Sequence, residues 1–314
     1  MRCLALGLAA LLLASPAPAW NYVTHRVIAA IAYDQLTPAA RGRVDALIKI
    51  HPDYQQHFLK DAPSDEAARA RSAFIEAAIW ADTLRNDPRF YDETLADATP
   101  TPTLPGFSEM GRHTGWHFIH LPFSQDGTPL EPAEVPNVVT ALDRLMAEFA
   151  RPDLAESQRA YDLVWLIHLF GDIHEPLHCA DRFSASLPKG DLSGNLVFVA
   201  SGNSPITLHK FWDDAVGADT SPGWVGQTVQ EIEKLYPAPR SLALAGDSGS
   251  PESWAQESLS ITKKDVYTFG TENGSREVPI HLPLGYQAHA QQIGQSQAAT
   301  AASRLAAFLN LRLK

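Results

Sequence analysis

His168, Asp172 and His178 stand as His-x3-Asp-x5-His inside Trp165-Leu-Ile-His-Leu-Phe-Gly-Asp-Ile-His-Glu-Pro-Leu-His178. Imidazole nitrogens and carboxylate oxygens are ligands that zinc accepts. Residues four apart share one face of a helix, so His168 and Asp172 lie one above the other. Their neighbours Leu166, Ile167, Leu169, Phe170 and Ile173 are apolar, and a helix apolar nearly all round is a buried one. A buried His and Asp need partners, because an uncompensated buried charge is costly. Two readings meet that need: a metal site, or a hydrogen-bonded His–Asp pair that braces the core.

Four more sets have the same character. Leu208-His209-Lys-Phe-Trp-Asp213 again puts His and Asp four apart beside bulky apolar residues. Trp80-Ala-Asp82 closes an Ala-rich helix, with Arg85 one turn on. Trp116-His117-Phe118-Ile119-His120 sets two histidines among aromatics. Trp20 and His25 follow a predicted cleavage site at Ala17-x-Ala19. A single His beside aromatics is more often a satisfied core residue than a ligand, and Asp82 alone could be a cap or a surface group. All of them in one chain favour a metal centre.

Together these residues resemble the single-strand-specific zinc nucleases (the nuclease S-one/P-one family), which share a fold with zinc-dependent phospholipase C. The family's ordered signature is Trp-x4-His, Trp-Ala-Asp, His before an aromatic, His-x3-Asp-x5-His, a Gly-Asn turn, and Leu-His-x3-Asp. It is met here by Trp20 and His25, Trp80 to Asp82, His117-Phe118, His168 with Asp172 and His178, Gly194-Asn195, and Leu208 with His209 and Asp213. The resemblance implies three zinc ions. One is held by Asp82, His117, His168 and Asp172. A second is held by the amino nitrogen and carbonyl oxygen of Trp20, by His25 and by a shared Asp172. The third is held by His178, His209 and Asp213. Two metals sharing one carboxylate can lower the pKa of a water between them into the neutral range. Arg85 would bind the phosphate. The implied reaction is cleavage of single-stranded RNA and DNA to 5′-phosphate products, with 3′-nucleotides as further substrates. Phe118 matches the aromatic on which a base stacks, with core packing beside His117 as its alternative role.

Some positions depart from the family pattern. His120 stands where an Asp usually contacts the base, which makes it a substrate-binding candidate or an ordinary second layer. Glu175 replaces a frequent Gln, and Ser193 a frequent second Gly. His174 is expected to orient a neighbouring carboxylate, and Cys179 to be a buried inert thiol. His51, His57, His113, His281 and His289 carry no motif. Asn273-Gly-Ser275 is a glycosylation sequon where the host glycosylates. A zinc phospholipase C and a non-catalytic zinc-binding protein are the alternatives. The short Trp20-x4-His25 spacing and Asp at 213 favour the nuclease over the first, and Arg85 argues against the second.

The elements that must position these groups read as mostly helical. Helices are expected over Val23–Leu36, from Pro38 to about Ile50, and over Ala67–Leu84, Glu134–Ala150, Ser157 to about Glu175, Thr207–Ala215 and Gly285–Leu311. Thr94–Gly115 and Pro237–Pro251 read as loops, and Asn195–Ala200 with Ser201-Gly202-Asn203 as part of a small hairpin. The fold class is mostly α: a single-domain helical phospholipase C/zinc nuclease fold over 20–314 with a minor β-hairpin. Residues 1–19 read as a signal peptide, so the protein is expected to be exported after cleavage between Ala19 and Trp20. Cys179 then remains alone and cannot form an intrachain disulfide. Losing Arg2 leaves 24 of the 25 basic residues against 36 acidic ones, a net of −12. That argues against a coat of positive charge for nucleic acid, and three zinc ions would bring it to −6. No stable membrane association and no obligate protein partner are expected.

Overall fold

The computed structural model describes residues 20–202, 204–221, 223–237, 249–270 and 272–314. The predicted signal peptide, Asn203 of the predicted turn and residues 238–248 of the predicted 237–251 loop lie outside them. The protein is mostly helical with two small two-stranded sheets among the described residues.

Helix α6 (Glu156–Asp172) is the axis of the molecule, and every residue from Arg159 to Asp172 is buried. Around it pack α1 (Tyr22–Asp34), α2 (Pro38–Ile50), α3 (Glu66–Ala77), α5 (Val138–Phe149) and the long C-terminal α10 (Tyr286–Arg312). Local chemistry starts several of these. Thr37 caps α2 by accepting from the Ala40 amide, and Pro38 opens it where a missing N–H costs nothing. Asn21 caps α1 by accepting from the Thr24 amide. Helix α5 begins at Val138, four residues later than expected, because Asn137 and Thr140 form a reciprocal capping box there. Helices α8 (Trp224–Leu235) and α9 (Pro251–Ile261) complete the shell.

The expected helix over Ala67–Leu84 is broken. Helix α3 ends at Ala77, a turn covers Ala78 and Ile79, and a short α4 (Trp80–Thr83) runs into a 3₁₀ turn at Leu84–Asn86. The break has a distant cause: the Ala78 carbonyl accepts a hydrogen bond from His168 Nδ1 at 2.7 Å. Likewise α6 stops at Asp172, and a 3₁₀ turn over Pro176–Cys179 follows.

The hairpin is present as β3 (Phe198–Ser201) paired antiparallel with β4 (Ser204–Thr207), and it leads into α7 (Leu208–Asp213). A second pair was not foreseen: β1 (Pro122–Ser124) runs parallel to β2 (Asp181–Phe183), with Phe123 opposite Arg182. It ties the segment after His120 to the segment after His178. A second, smaller apolar cluster of Leu177, Val197, Val199, Leu208 and Trp212 lies under the hairpin.

Asp53 is a buried anchor. It accepts from Trp80 Nε1 at 2.7 Å and from Arg89 Nη1 and Nη2 at 2.7 and 2.9 Å. Burial alone would raise its carboxyl, but Arg89 and Trp80 hold it below the usual range. Since Trp80 leads into Asp82, this anchor sets where α4 lies. Asp53→Ala strands the Trp80 and Arg89 donors and should cost about 2–3 kcal/mol. Urea unfolding measures it, and a loss below about 0.5 kcal/mol would show that Asp53 is not an anchor.

Candidate metal centre

Asp172 ends α6 with no exposed surface and stands among four imidazoles. Its Oδ2 lies 2.9 Å from His117 Nδ1 and 3.0 Å from His168 Nε2. Its Oδ1 lies 3.3 Å from His25 Nε2 and 3.6 Å from His178 Nδ1. Asp82 Oδ1 approaches the same nest, 3.9 Å from His168 Nε2 and 4.0 Å from His117 Nδ1. On the other side, Asp213 carries His178 Nε2 at 3.8 Å and His209 Nε2 at 3.7 Å. Among the described residues, three groups thus have donor atoms close enough to share an ion: His25 with Asp82 and His168, His117 with His168 and Asp172, and His178 with His209 and Asp213.

Main-chain carbonyls set the ring tautomers. His168 Nδ1 faces the Ala78 oxygen at 2.7 Å, His178 Nδ1 the His117 oxygen at 3.0 Å, and His209 Nδ1 the Ser193 oxygen at 2.8 Å. A carbonyl only accepts, so each Nδ1 must donate. In the neutral ring Nε2 then carries the lone pair, which is how metal-binding histidines are prepared.

The donor set fits a cation. Nε2 of His25, His117, His178 and His209, both oxygens of Asp82 and of Asp213, and Oδ1 of Asp172 are buried and make no hydrogen bond. Such groups are rare in folded proteins unless something else satisfies them. Burial pushes His25, His117 and His178 down, so these rings are held neutral. Burial also opposes a charge on His168, but Asp172 and Asp82 overcome it and push that ring up to about 9. The carboxylates therefore call for positive charge, which either a proton on His168 or a metal ion supplies.

The remaining predicted residues also reach this place. Trp20 is fully buried, and its Nε1 donates to the Gly171 carbonyl at 3.1 Å. The next amide, Asn21 N, donates to the Asp213 carbonyl at 3.4 Å, so the Trp20–Asn21 segment is held between α6 and α7. Arg85 Nη2 lies 3.8 Å from Asp82 Oδ1. Phe118 is 8 % exposed and packs on His178, centroid to centroid 4.5 Å. That small exposure favours its packing role. His120 is half-buried, nearly parallel to Phe118 at 6.1 Å, with Nδ1 3.1 Å from Ser193 Oγ.

The readings of His174 and His113 need correcting. His174 orients no carboxylate: its Nδ1 donates to the Phe170 carbonyl, and its Nε2 accepts from Arg304. Asn273, in the sequon, is already engaged. Its amide donates to Ser186 Oγ at 2.6 Å, and its oxygen accepts from Arg182. Cys179 is buried, as expected, with its thiol against the Ile173 carbonyl. His113 was read as ordinary, yet it stacks on Trp116 at 3.7 Å and pairs with Glu93 and Glu109, steadying the turn that carries His117. Glu175 caps that turn's partner by accepting from the His178 amide at 2.7 Å, and burial pushes its carboxyl up to about 8.

Fold and site define a mostly helical protein built around a buried cluster of His and Asp that could hold metal. A family profile described as S1/P1 Nuclease matches residues 20–314, and the chain belongs to that family. It is 28% identical to Endonuclease 3 of Arabidopsis thaliana over 136 residues, 39% of this chain and 44% of that protein. It is 25% identical to Endonuclease 5 of the same plant over 162 residues, 47% of this chain and 49% of that protein. The matched stretch thus spans about half the length of these relatives.

Gly171 was not singled out by motif, yet it is the contact point of two candidate ligands. A Cβ there would meet His25 Nδ1 at 2.9 Å and Cε1 at 3.0 Å. Gly171→Ala gains about 1 kcal/mol of helix propensity but costs about 1–3 kcal/mol by overpacking. The expected outcome is a lower melting temperature in metal-free protein. A higher one would show that His25 is not seated against α6.

Proposed function

We propose that the chain is an exported, zinc-dependent nuclease that hydrolyses phosphodiester bonds of single-stranded RNA and DNA to 5′-phosphate products. Removal of the 3′-phosphate from 3′-nucleotides is the companion activity. The observation that carries this reading is the sharing of Asp172: its two oxygens face different imidazoles within a nest of unsatisfied buried donors. The family assignment and the two plant endonucleases support it.

Three zinc ions are proposed. Asp82, His117, His168 and Asp172 hold the first. Trp20 (through its amino nitrogen and carbonyl oxygen), His25 and Asp172 hold the second. His178, His209 and Asp213 hold the third. Bound zinc supplies Lewis acidity and brings the pKa of water towards neutrality. The chain's own residues do the rest. Asp172 faces His117 and His168 with one oxygen and His25 and His178 with the other. The carbonyls of Ala78, His117 and Ser193 keep Nε2 lone pairs aimed inward. Arg85, beside Asp82, offers a planar fork to phosphate oxygens as negative charge grows on them. The half-buried His120, lying over the packed Phe118 ring, forms the rim against which a base free of its duplex partner would lie.

Side-by-side assay of single-stranded DNA, single-stranded RNA and phosphatidylcholine tests the substrate class, and turnover of lipid alone would refute the nuclease reading. In the same assay Arg85→Ala should lower turnover by roughly 10²–10³-fold, with zinc content unchanged. Equal loss of zinc would make Arg85 structural.

The Trp20 amino group exists as a ligand only after cleavage at Ala19. A chain retaining Met1 to Ala19 should therefore bind one zinc ion fewer and be nearly inactive. Full activity and full zinc content in that precursor would remove Trp20 from the site.

A further inference from the structure

The turn that orients His209 is held in an unfavourable backbone conformation. Gly190, Leu192, Ser193 and Gly194 all have positive φ, at 89°, 52°, 57° and 80°. Glycine adopts that region freely, but a residue with a Cβ does so at a cost. Two consecutive side-chain-bearing residues therefore oppose the turn. Yet Ser193 presents its carbonyl to His209 Nδ1 at 2.8 Å and its hydroxyl to His120 Nδ1 at 3.1 Å.

Asp191 sits inside this turn and is fully buried. Its Oδ1 accepts from the Gly194 amide at 3.0 Å and the Arg182 amide at 3.2 Å. Its Oδ2 accepts from the Tyr267 hydroxyl at 2.5 Å. Asp181 Oδ1 adds an acceptor for the Ser193 amide at 3.4 Å. Glycine at 190 makes room for this, since a Cβ there would lie 2.1 Å from Asp181 Oδ2. Tyr267 is in turn covered by the Arg182 guanidinium, 4.3 Å from its ring centre. Asp191 is in none of the three groups that could hold an ion. Its hydrogen bonds go to the turn, to the Arg182 amide of β2 and to the tyrosine that backs it.

We infer that Asp191 is a positioning residue for the third metal group: it holds the left-handed Leu192–Ser193 turn, so that the Ser193 carbonyl orients His209. Tyr267 backs the carboxylate. This role rests on the proposed three-zinc reading. It is needed here because Ser193 stands where a glycine would have relaxed the turn at no cost.

The test is zinc stoichiometry by elemental analysis, together with competition against a chelator that resolves the weakest ion, on chains shown to be folded by circular dichroism. Asp191→Ala should weaken one zinc ion per chain by about 10–100-fold and leave the other two as in the wild type. Tyr267→Phe should weaken the same ion by a smaller factor of about 2–5. Adding Ser193→Gly to Asp191→Ala keeps the carbonyl and removes the strain, so most of the lost affinity should return. Three ions at wild-type affinity in Asp191→Ala would overturn the inference alone. Even weakening of all three ions without rescue would overturn it too, making Asp191 a core residue only. If Asp191→Ala does not fold, Tyr267→Phe decides in the same way. Fewer than three ions in the wild type would defeat the three-zinc reading and this inference with it.

Discussion

One buried carboxylate organises the molecule. Asp172 is fully buried at the C-terminal end of a helix, where the helix dipole already disfavours negative charge. In such surroundings an ionised group is tolerated only with close compensation. His117 from a 3₁₀ turn and His168 one helical turn earlier stand within hydrogen-bond distance of it, and His25 from α1 and His178 from the following turn close in at 3.3 and 3.6 Å. Four stretches of chain are thereby drawn to one point. The apolar side chains of α6 keep water out and make each of those contacts stronger.

Irregular backbone surrounds this point for a reason. The three carbonyls that set the His tautomers belong to the break between α3 and α4, to the 3₁₀ turn ending at His117, and to the left-handed turn at Ser193. In a regular helix or strand, a carbonyl is already committed along the ladder. Turns release carbonyls to meet side chains from elsewhere. The regular elements, α6 above all, then serve as the rigid frame against which these turns are aimed. Asp53 with Arg89, His113 with its two glutamates, and Glu175 at the His178 turn each brace one irregular segment. Local strain at a functional centre, offset by buried hydrogen bonds around it, is a common arrangement.

What the sequence determined by itself was local or periodic. Thr37-Pro38 marks the start of α2 through contacts within four residues. The apolar run around His168 and Asp172 identifies a buried helix, and four-residue spacing puts the two groups on one face. The His and Asp residues stood out by type and four-residue spacing, but only the resemblance to the zinc nucleases gathered them, with Trp20, into one set. Tertiary structure alone decided the rest. The helix break at Ala78 answers to His168, 90 residues away. The parallel pairing of β1 with β2 joins segments with no shared pattern. The parts played by Asp53, Gly171 and Asp191 depend on what lies opposite them in space. Spacing along a chain reports which face a side chain shares. Which distant donor, carbonyl or ring it meets follows only from how the faces pack.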